Sequence, residues 1–347
     1  MQFSNIVYLF FVLKWAEILS IMNKITIRNY NETDFEAWNQ MVSEAKNSTF
    51  LFDRRFMEYH QEKFQDFSLM AFDEKNELIA ILPAHKIGNE VYSHLGLTYG
   101  GIITKKDLRA TVFFDVFSEI LKFLFHQGIL FLHWKEVPYF YHSYPSDEWK
   151  YLAFVTESEL YRRDLCAVVN LREEFKISDS VIRNAKWCEN QGYYYQKSEQ
   201  WKEFWEEILT PELEKRHQAK PVHQLEEILR LKANFEGNIF FYGVFLANQL
   251  LGGTVVFVNK KVIHSQYISV KSEFKNKKVL DFLHYKLIKE EFKDFDYFDF
   301  GISNEENGRK TNMGLLFWKE GFGARGISQD FYKISTKNFS LIEEMFL

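Results

Sequence analysis

Between Val262 and Glu320 the chain concentrates side chains that can move protons, hold anions and recognise polar ligands. His264 and Gln266 fall on one face of the run Val262–Val270 if that run is a strand with its period of two. An imidazole titrates near neutrality and can take or give a proton; the position equally suits a hydrogen-bonded, half-buried histidine. Lys271, Lys275, Lys277 and Lys278 follow, ahead of Leu280, Leu283, Leu287 and Ile288 at helical spacing. A basic loop that opens a helix is an anion cradle, because the first turn offers unpaired N–H groups and the positive end of the helix dipole. The pyrophosphate of an acyl carrier suits such a cradle. Asp299 ends a short strand next to Gly301, before a polar stretch holding Asn304, Glu305, Glu306, Asn307 and Arg309. Strand ends flank ligand crevices in αβ sheets. This group is read as recognising a polar acceptor, with Asp299 or Glu305 able to serve as base; an ordinary Asx-type turn is the rival. Lys319 follows on a short helical segment.

Two other places carry polar side chains of interest. EKRHQAKPVHQ holds His217 and His223, in a connection between helices that suits a ligand contact or a plain surface loop. Tyr99 and Gly100 stand in a glycine-pair loop that can bring backbone N–H groups to a ligand or simply end a strand. The histidines have no carboxylate spaced to complete a metal set, so no metal is expected. Serine-nucleophile, P-loop and dinucleotide signatures are absent. Gly252-Gly253 lies within an apolar run and reads as a bulge.

The elements that must position these residues follow a repeated order. Residues 67–134 read strand, turn, strand, turn, strand, loop, helix, strand, and residues 239–300 read the same, with closely agreeing lengths but without agreeing residue identities. Each copy is preceded by a strand and two helices: 24–28, 32–45 and 53–64 in the first, 193–197, 201–209 and 223–234 in the second. Residues 135–160 read as a loop-rich connection with Pro138 and Pro145, followed by a strand from Cys166. This order implies an α/β (α+β) chain of two tandem copies of one domain, each a mixed, mostly antiparallel sheet flanked by helices. The boundaries fall at 23–165 and 166–347, with 1–22 as a loose N-terminal extension.

QYISVKSEFKNKKVLDFLHYKLI resembles the central motif of the GNAT acyltransferase superfamily. FDFGISNEENG followed by GLLFWKEGFGA is similar to the Fem-type (FemAB-like) branch, in which two GNAT-like domains stand in tandem. The resemblance spans nearly all of residues 23–335. It implies an N-acyltransferase with its active site in the second domain. A donor thioester would lie against Ile268, Ser269 and Val270, its phosphates near Lys275, Lys277 and Lys278, with His264, Asp299 and Glu305 as catalytic candidates. Tyr99, Gly100, His217, His223, Gln266, Gly301, Asn304, Asn307, Arg309 and Lys319 are the candidates for substrate contact. The implied donor is an acyl-CoA, acetyl-CoA first, or an aminoacyl-tRNA, and the implied acceptor an amino sugar or a cell-envelope precursor. One departure matters: Lys278 and Leu280 stand where the superfamily's pyrophosphate loop has glycines, which keeps open a GNAT-derived binding or scaffold protein without catalysis.

The bulk of the chain agrees with a folded enzyme or binding protein. It has 347 residues, 46% hydrophobic and 26% charged, enough for two cores. The 36 Phe and 18 Tyr follow a general compositional bias alongside abundant Lys and Asn. A net charge of −5 argues against a stable nucleic-acid complex. Cys166 and Cys188 lack metal spacing and suit a reducing, cytoplasmic setting. The apolar run Ile6–Leu13 is far shorter than the ~20 residues a spanning helix needs, so membrane association is not expected.

Overall fold

Pro83 divides what would otherwise be one long strand, and the division sends the chain from one sheet into another. A proline has no N–H to give to a ladder. In the computed structural model, which describes residues 24–345, the strand Leu78–Leu82 ends at Pro83 and a new strand begins at His85 in a different sheet. The expected extension 1–22 lies outside the described residues.

From the N-terminus the elements are β1 (Thr26–Asn29), α1 (Phe35–Glu44), α2 (Arg54–Met57), β2 (Gln65–Asp66), β3 (Leu69–Phe72), β4 (Leu78–Leu82), β5 (His85–Ile87), β6 (Glu90–Tyr92), β7 (Ile103–Thr104), α3 (Ala110–His126), β8 (Phe131–Lys135), α4 (Glu148–Val155) and β9 (Glu159–Asn170). Then come α5 (Asp179–Asn190), β10 (Tyr194–Lys197), α6 (201–217, with a π-helical middle at Phe204–Leu209), α7 (Leu225–Asn234), β11 (Ile239–Leu246), β12 (Gln249–Asn259) and β13 (Val262–Val270). The chain ends with α8 (Val279–Lys286), β14 (Tyr297–Ile302), β15 (Asn304–Glu305), β16 (Lys310–Thr311), α9 (Met313–Glu320), β17 (Arg325–Ser335) and α10 (Phe339–Glu343).

The chain forms two compact units: one of residues 24–48, 60–161 and 331–345, the other of Thr49–Tyr59 and Arg162–Asp330. In the first, β1-β3-β4-β7 make one sheet, and β8-β6-β5-β2 make a second run that residues 331–335 extend by pairing with β8. Its core gathers Leu82, Phe117, Leu121 and Trp134 under α3. In the second, the strand order is β10-β11-β12-β13-β14-β9, over a core that includes Val244, Ile263, Phe282 and Phe298. Both units keep one parallel pair joined by a crossover helix: β6 and β8 around α3, and β13 and β14 around α8.

Local chemistry explains several boundaries. Asp53 caps α2 by accepting from the Arg55 N–H at 2.9 Å, as its sequence position suggests, but the α-helix lasts one turn and continues as 3-10 over Glu58–Lys63. Residues 135–160 contain α4, which the loop-rich reading omits. That helix buries Trp149, Leu152 and Ala153 while Tyr151 and Phe154 stay exposed, so its sequence carries no clean apolar stripe. The expected bulge at Gly252-Gly253 is displaced: both glycines pair regularly with Val270 and Ser269, and Leu251 is the residue left out of register. The glycines instead permit close approach, since a Cβ on Gly252 would stand 2.7 Å from the Ser269 carbonyl oxygen. No helix among the described residues is long and apolar enough to cross a membrane.

Candidate active site

Parallel pairing of β13 with β14 sets His264 directly beside Asp299. The His264 Nδ1–H donates to Asp299 Oδ2 at 2.8 Å, and the other carboxylate oxygen, Oδ1, accepts from the Gly301 N–H at 2.7 Å. A carboxylate only accepts, so the proton sits on Nδ1 and leaves Nε2 as the basic nitrogen. His264 is 8% exposed and Asp299 2%. Gly301 turns the chain at φ +68, a conformation that side chains rarely adopt. A Cβ there would also lie 3.2 Å from His264 Cε1. The turn breaks the pairing of β14 with β9 between Asp299 and Ile302.

Lys319, in the last turn of α9, is 2% exposed and reaches back to that turn. Its Nζ donates to the carbonyls of Gly301 at 3.1 Å and Ile302 at 2.7 Å. Burial pulls its pKa down to about 8, against an opposing pull from the Asp299 and Cys166 charges. Asn312 starts α9 by accepting from the Leu315 N–H at 3.0 Å. Behind Lys319, Trp318 Nε1 donates to Asp281 Oδ1 at 2.8 Å, and Asn184 Nδ2 donates to Asp281 Oδ2 at 2.6 Å, tying α9, α8 and α5 together. His284 on α8 is fully buried among Phe298, Phe300, Trp318 and Phe322, and burial lowers its pKa to about 4.

The polar stretch after Gly301 folds as the hairpin β15–β16 and is pinned to β9. Asn304 Oδ1 accepts from the Leu165 N–H at 2.6 Å, and Asn307 Oδ1 accepts from Arg162 at 3.4 Å. Arg162 is itself held by Asp164 at 2.6 Å. Glu305 and Arg309 are exposed on this hairpin, with no contact to His264 or Asp299 among the described residues.

Strand β13 departs from strict alternation. Val255 pairs with Tyr267 and Val256 with Ser265, which leaves Gln266 as a bulge. The one-face relation expected of His264 and Gln266 is therefore interrupted at Gln266 itself. Its side-chain Oε1 is buried without a hydrogen-bond partner among the described residues. Beyond the bulge, Tyr267 meets His223: the His223 N–H donates to the phenol oxygen at 3.2 Å, and the hydroxyl lies 2.5 Å from His223 Nδ1. Tyr59 packs on the same imidazole at 5.0 Å. His217 lies in the last turn of α6.

Ile268 is half-buried, and Ser269 and Val270 are each 7% exposed at the end of β13. Lys278 precedes α8 at φ +61, so a lysine occupies the left-handed conformation expected of a glycine. Lys277 and Lys278 are exposed, whereas Lys275 pairs with Glu212 at 2.5 Å and Lys271 with Glu203 at 3.2 Å. Cys188 donates from α5 to the Lys277 and Lys278 carbonyls at 3.5 and 3.6 Å, and burial pushes its pKa up to about 12.

Tyr99 and Gly100 belong to the other unit. Tyr99 is buried with its ring 4.8 Å from Tyr141, and the Gly100 N–H donates to the Lys135 carbonyl at 3.0 Å. Among the described residues no group of His, Cys, Asp and Glu could hold a metal.

The bulged strand, basic loop, crossover helix and parallel return strand, carried in a two-unit chain, define a Fem-type tandem GNAT fold. The solved structure of FemX superposes with a TM-score of 0.63 at 9% identity, over 92% of this chain and 99% of that one. The C-terminal domain of a protein assigned as a lysylphosphatidylglycerol synthetase, from Agrobacterium fabrum, gives 0.56 at 10% identity over 90% and 96%. L-PGS from Bacillus licheniformis gives 0.54 at 12% over 92% and 98%. No protein-family model and no curated protein matches the chain.

Proposed function

We propose that the protein transfers an acyl or aminoacyl group to an amine, with the second unit as the catalytic one. The observation that carries the reading is the buried His264–Asp299 pair, whose geometry leaves Nε2 as the base. The names of the similar structures, FemX and lysylphosphatidylglycerol synthetase, lend it support at the level of acyl transfer. The acceptor amine attacks the donor carbonyl carbon while His264 Nε2 takes the amine proton. The tetrahedral oxyanion then collapses, the bond to the donor's sulfur or oxygen breaks, and the leaving atom takes a proton. Asp299 holds the imidazole in the required tautomer and offsets the charge it gains. The bulge takes Gln266 out of the ladder, which suits its backbone N–H to the oxyanion and its unpaired Oε1 to the acceptor N–H. Lys319 spends two of its three N–H groups on the Gly301–Ile302 turn and keeps the third for the acceptor.

An amino sugar or envelope precursor is the proposed acceptor; acyl-CoA is the first donor to test and aminoacyl-tRNA the second. Release of CoA from acetyl-CoA in the presence of glucosamine, and discharge of aminoacyl-tRNA, are measured for the wild type, His264→Ala and Asp299→Asn. Each substitution is expected to lower the rate by about 10²–10⁴, the usual weight of a positioned base. Turnover that survives both substitutions removes the dyad mechanism. No turnover with either donor favours the binding-protein reading.

A further inference from the structure

The loop between β13 and α8 already holds an oxyanion that belongs to the chain. Glu212, on α6, accepts from the Ser272 hydroxyl at 2.5 Å through Oε1, and its buried Oε2 forms an ion pair with Lys275 Nζ at 2.5 Å, with 12% of the side chain exposed. Further back on α6, Glu203 pairs with Lys271 at 3.2 Å, and Glu207 lies 3.9 Å from the same ammonium. A hydroxyl and an ammonium just ahead of a helix N-terminus are the donors a phosphate oxygen would seek. The carboxylate engages both, one oxygen by the Ser272 hydrogen bond and the other by the Lys275 ion pair. Lys277 and Lys278 have no carboxylate partner among the described residues.

We propose that Glu212 is a donor-specificity residue, a built-in carboxylate that fills part of the anion cradle and discriminates against donors carrying a pyrophosphate. This rests on the loop being the donor site of the proposed transferase. A pyrophosphate entering the cradle must either displace Glu212 from Ser272 and Lys275 or bind beside it against like charge. A donor held through Lys277 and Lys278 alone meets neither obstacle. The expected glycines are also missing here, so the backbone does not supply what the two engaged side chains withhold.

The test is calorimetric titration of the full chain with inorganic pyrophosphate and with CoA. Glu212→Gln is expected to tighten both by about tenfold, the scale of one close like-charge contact removed. Glu207→Gln, which removes the same charge from an exposed side chain nearby, is expected to change them less than twofold. Adding Lys275→Ala to Glu212→Gln returns the affinity to the wild-type level. Glu212→Asp keeps the charge but draws the carboxylate away from Lys275, and gives the same sign should Glu212→Gln fail to fold. Unchanged or weaker binding in the Glu212 variants, equal gains in Glu207→Gln, or no binding to any variant overturns the inference. Pyrophosphate binding needs no acyl chemistry. Tightening without transfer by any variant therefore removes the transferase and leaves the role of Glu212, whereas transfer with unaltered pyrophosphate affinity does the reverse.

Discussion

His264 and Asp299 stand thirty-five residues apart in sequence, and parallel pairing makes them neighbours. Lys319 completes the group, and its depressed pKa gives a prediction with a definite sign. Folded, it titrates near 8; unfolded, a lysine holds its proton to about 10.4. Between those values the unfolded chain binds more protons, so raising the pH favours the fold through this group. If the ammonium contacts the acceptor, acyl transfer falls over the same range as the charge is lost. Thermal melts and rates from pH 7 to 10 are expected to show both trends in the wild type, and Lys319→Met is expected to flatten the stability trend. Much of this was legible in residue types: the imidazole, the carboxylate beside a glycine and the lysine on its helix all stand out in sequence. What engages Lys271 and Lys275 was not. Their carboxylates lie on α6, and ion pairs between distant segments leave no periodic trace.

At the scale of elements, the strand–loop–helix–strand order from β13 to β14 follows from periods of two and 3.6, which is why it can be read before any contact is known. The bulge at Gln266 cannot be read that way, because no residue type requires it; it arises from the pairing of β12 with β13. The left-handed conformation of Lys278 (φ +61) is likewise not announced by its residue type, and only the comparison with the superfamily's glycine loop points to it. Gly301 is the opposite case, a turn that its residue type announces. Gly301→Ala is expected to cost about 1–3 kcal/mol from the strained φ alone. It should also press on the imidazole, so activity falls more than the loss of stability explains. Denaturant titration against turnover at matched folded fractions measures the difference; equal losses would count against the role of this turn in placing His264.

For the whole molecule, the two-copy order is visible in sequence, but the path of the chain is not. The backbone passes between the units at 48/49, 59/60, 161/162 and 330/331. Phe50 and Phe56, early in sequence, pack on Phe235 and Phe257 in the second unit at 5.2–6.1 Å. A fragment of residues 162–330 lacks these rings. It is expected to melt well below the full chain, and a fragment carrying 49–59 on a linker to recover part of the loss, read by circular dichroism. Equal melting of the two fragments would deny those aromatic contacts a stabilising role. The same path bears on how the protein is made. Residues 331–335 supply the strand beside β8, and α10 packs on α3, so the unit that is synthesised first is also the last to be finished. Much of it must wait, with β8 lacking its neighbour, until residues 331–343 have been synthesised. The second unit, holding the histidine–aspartate pair, has its last strand residues in hand earlier. The first unit is thus closed by residues made after the second.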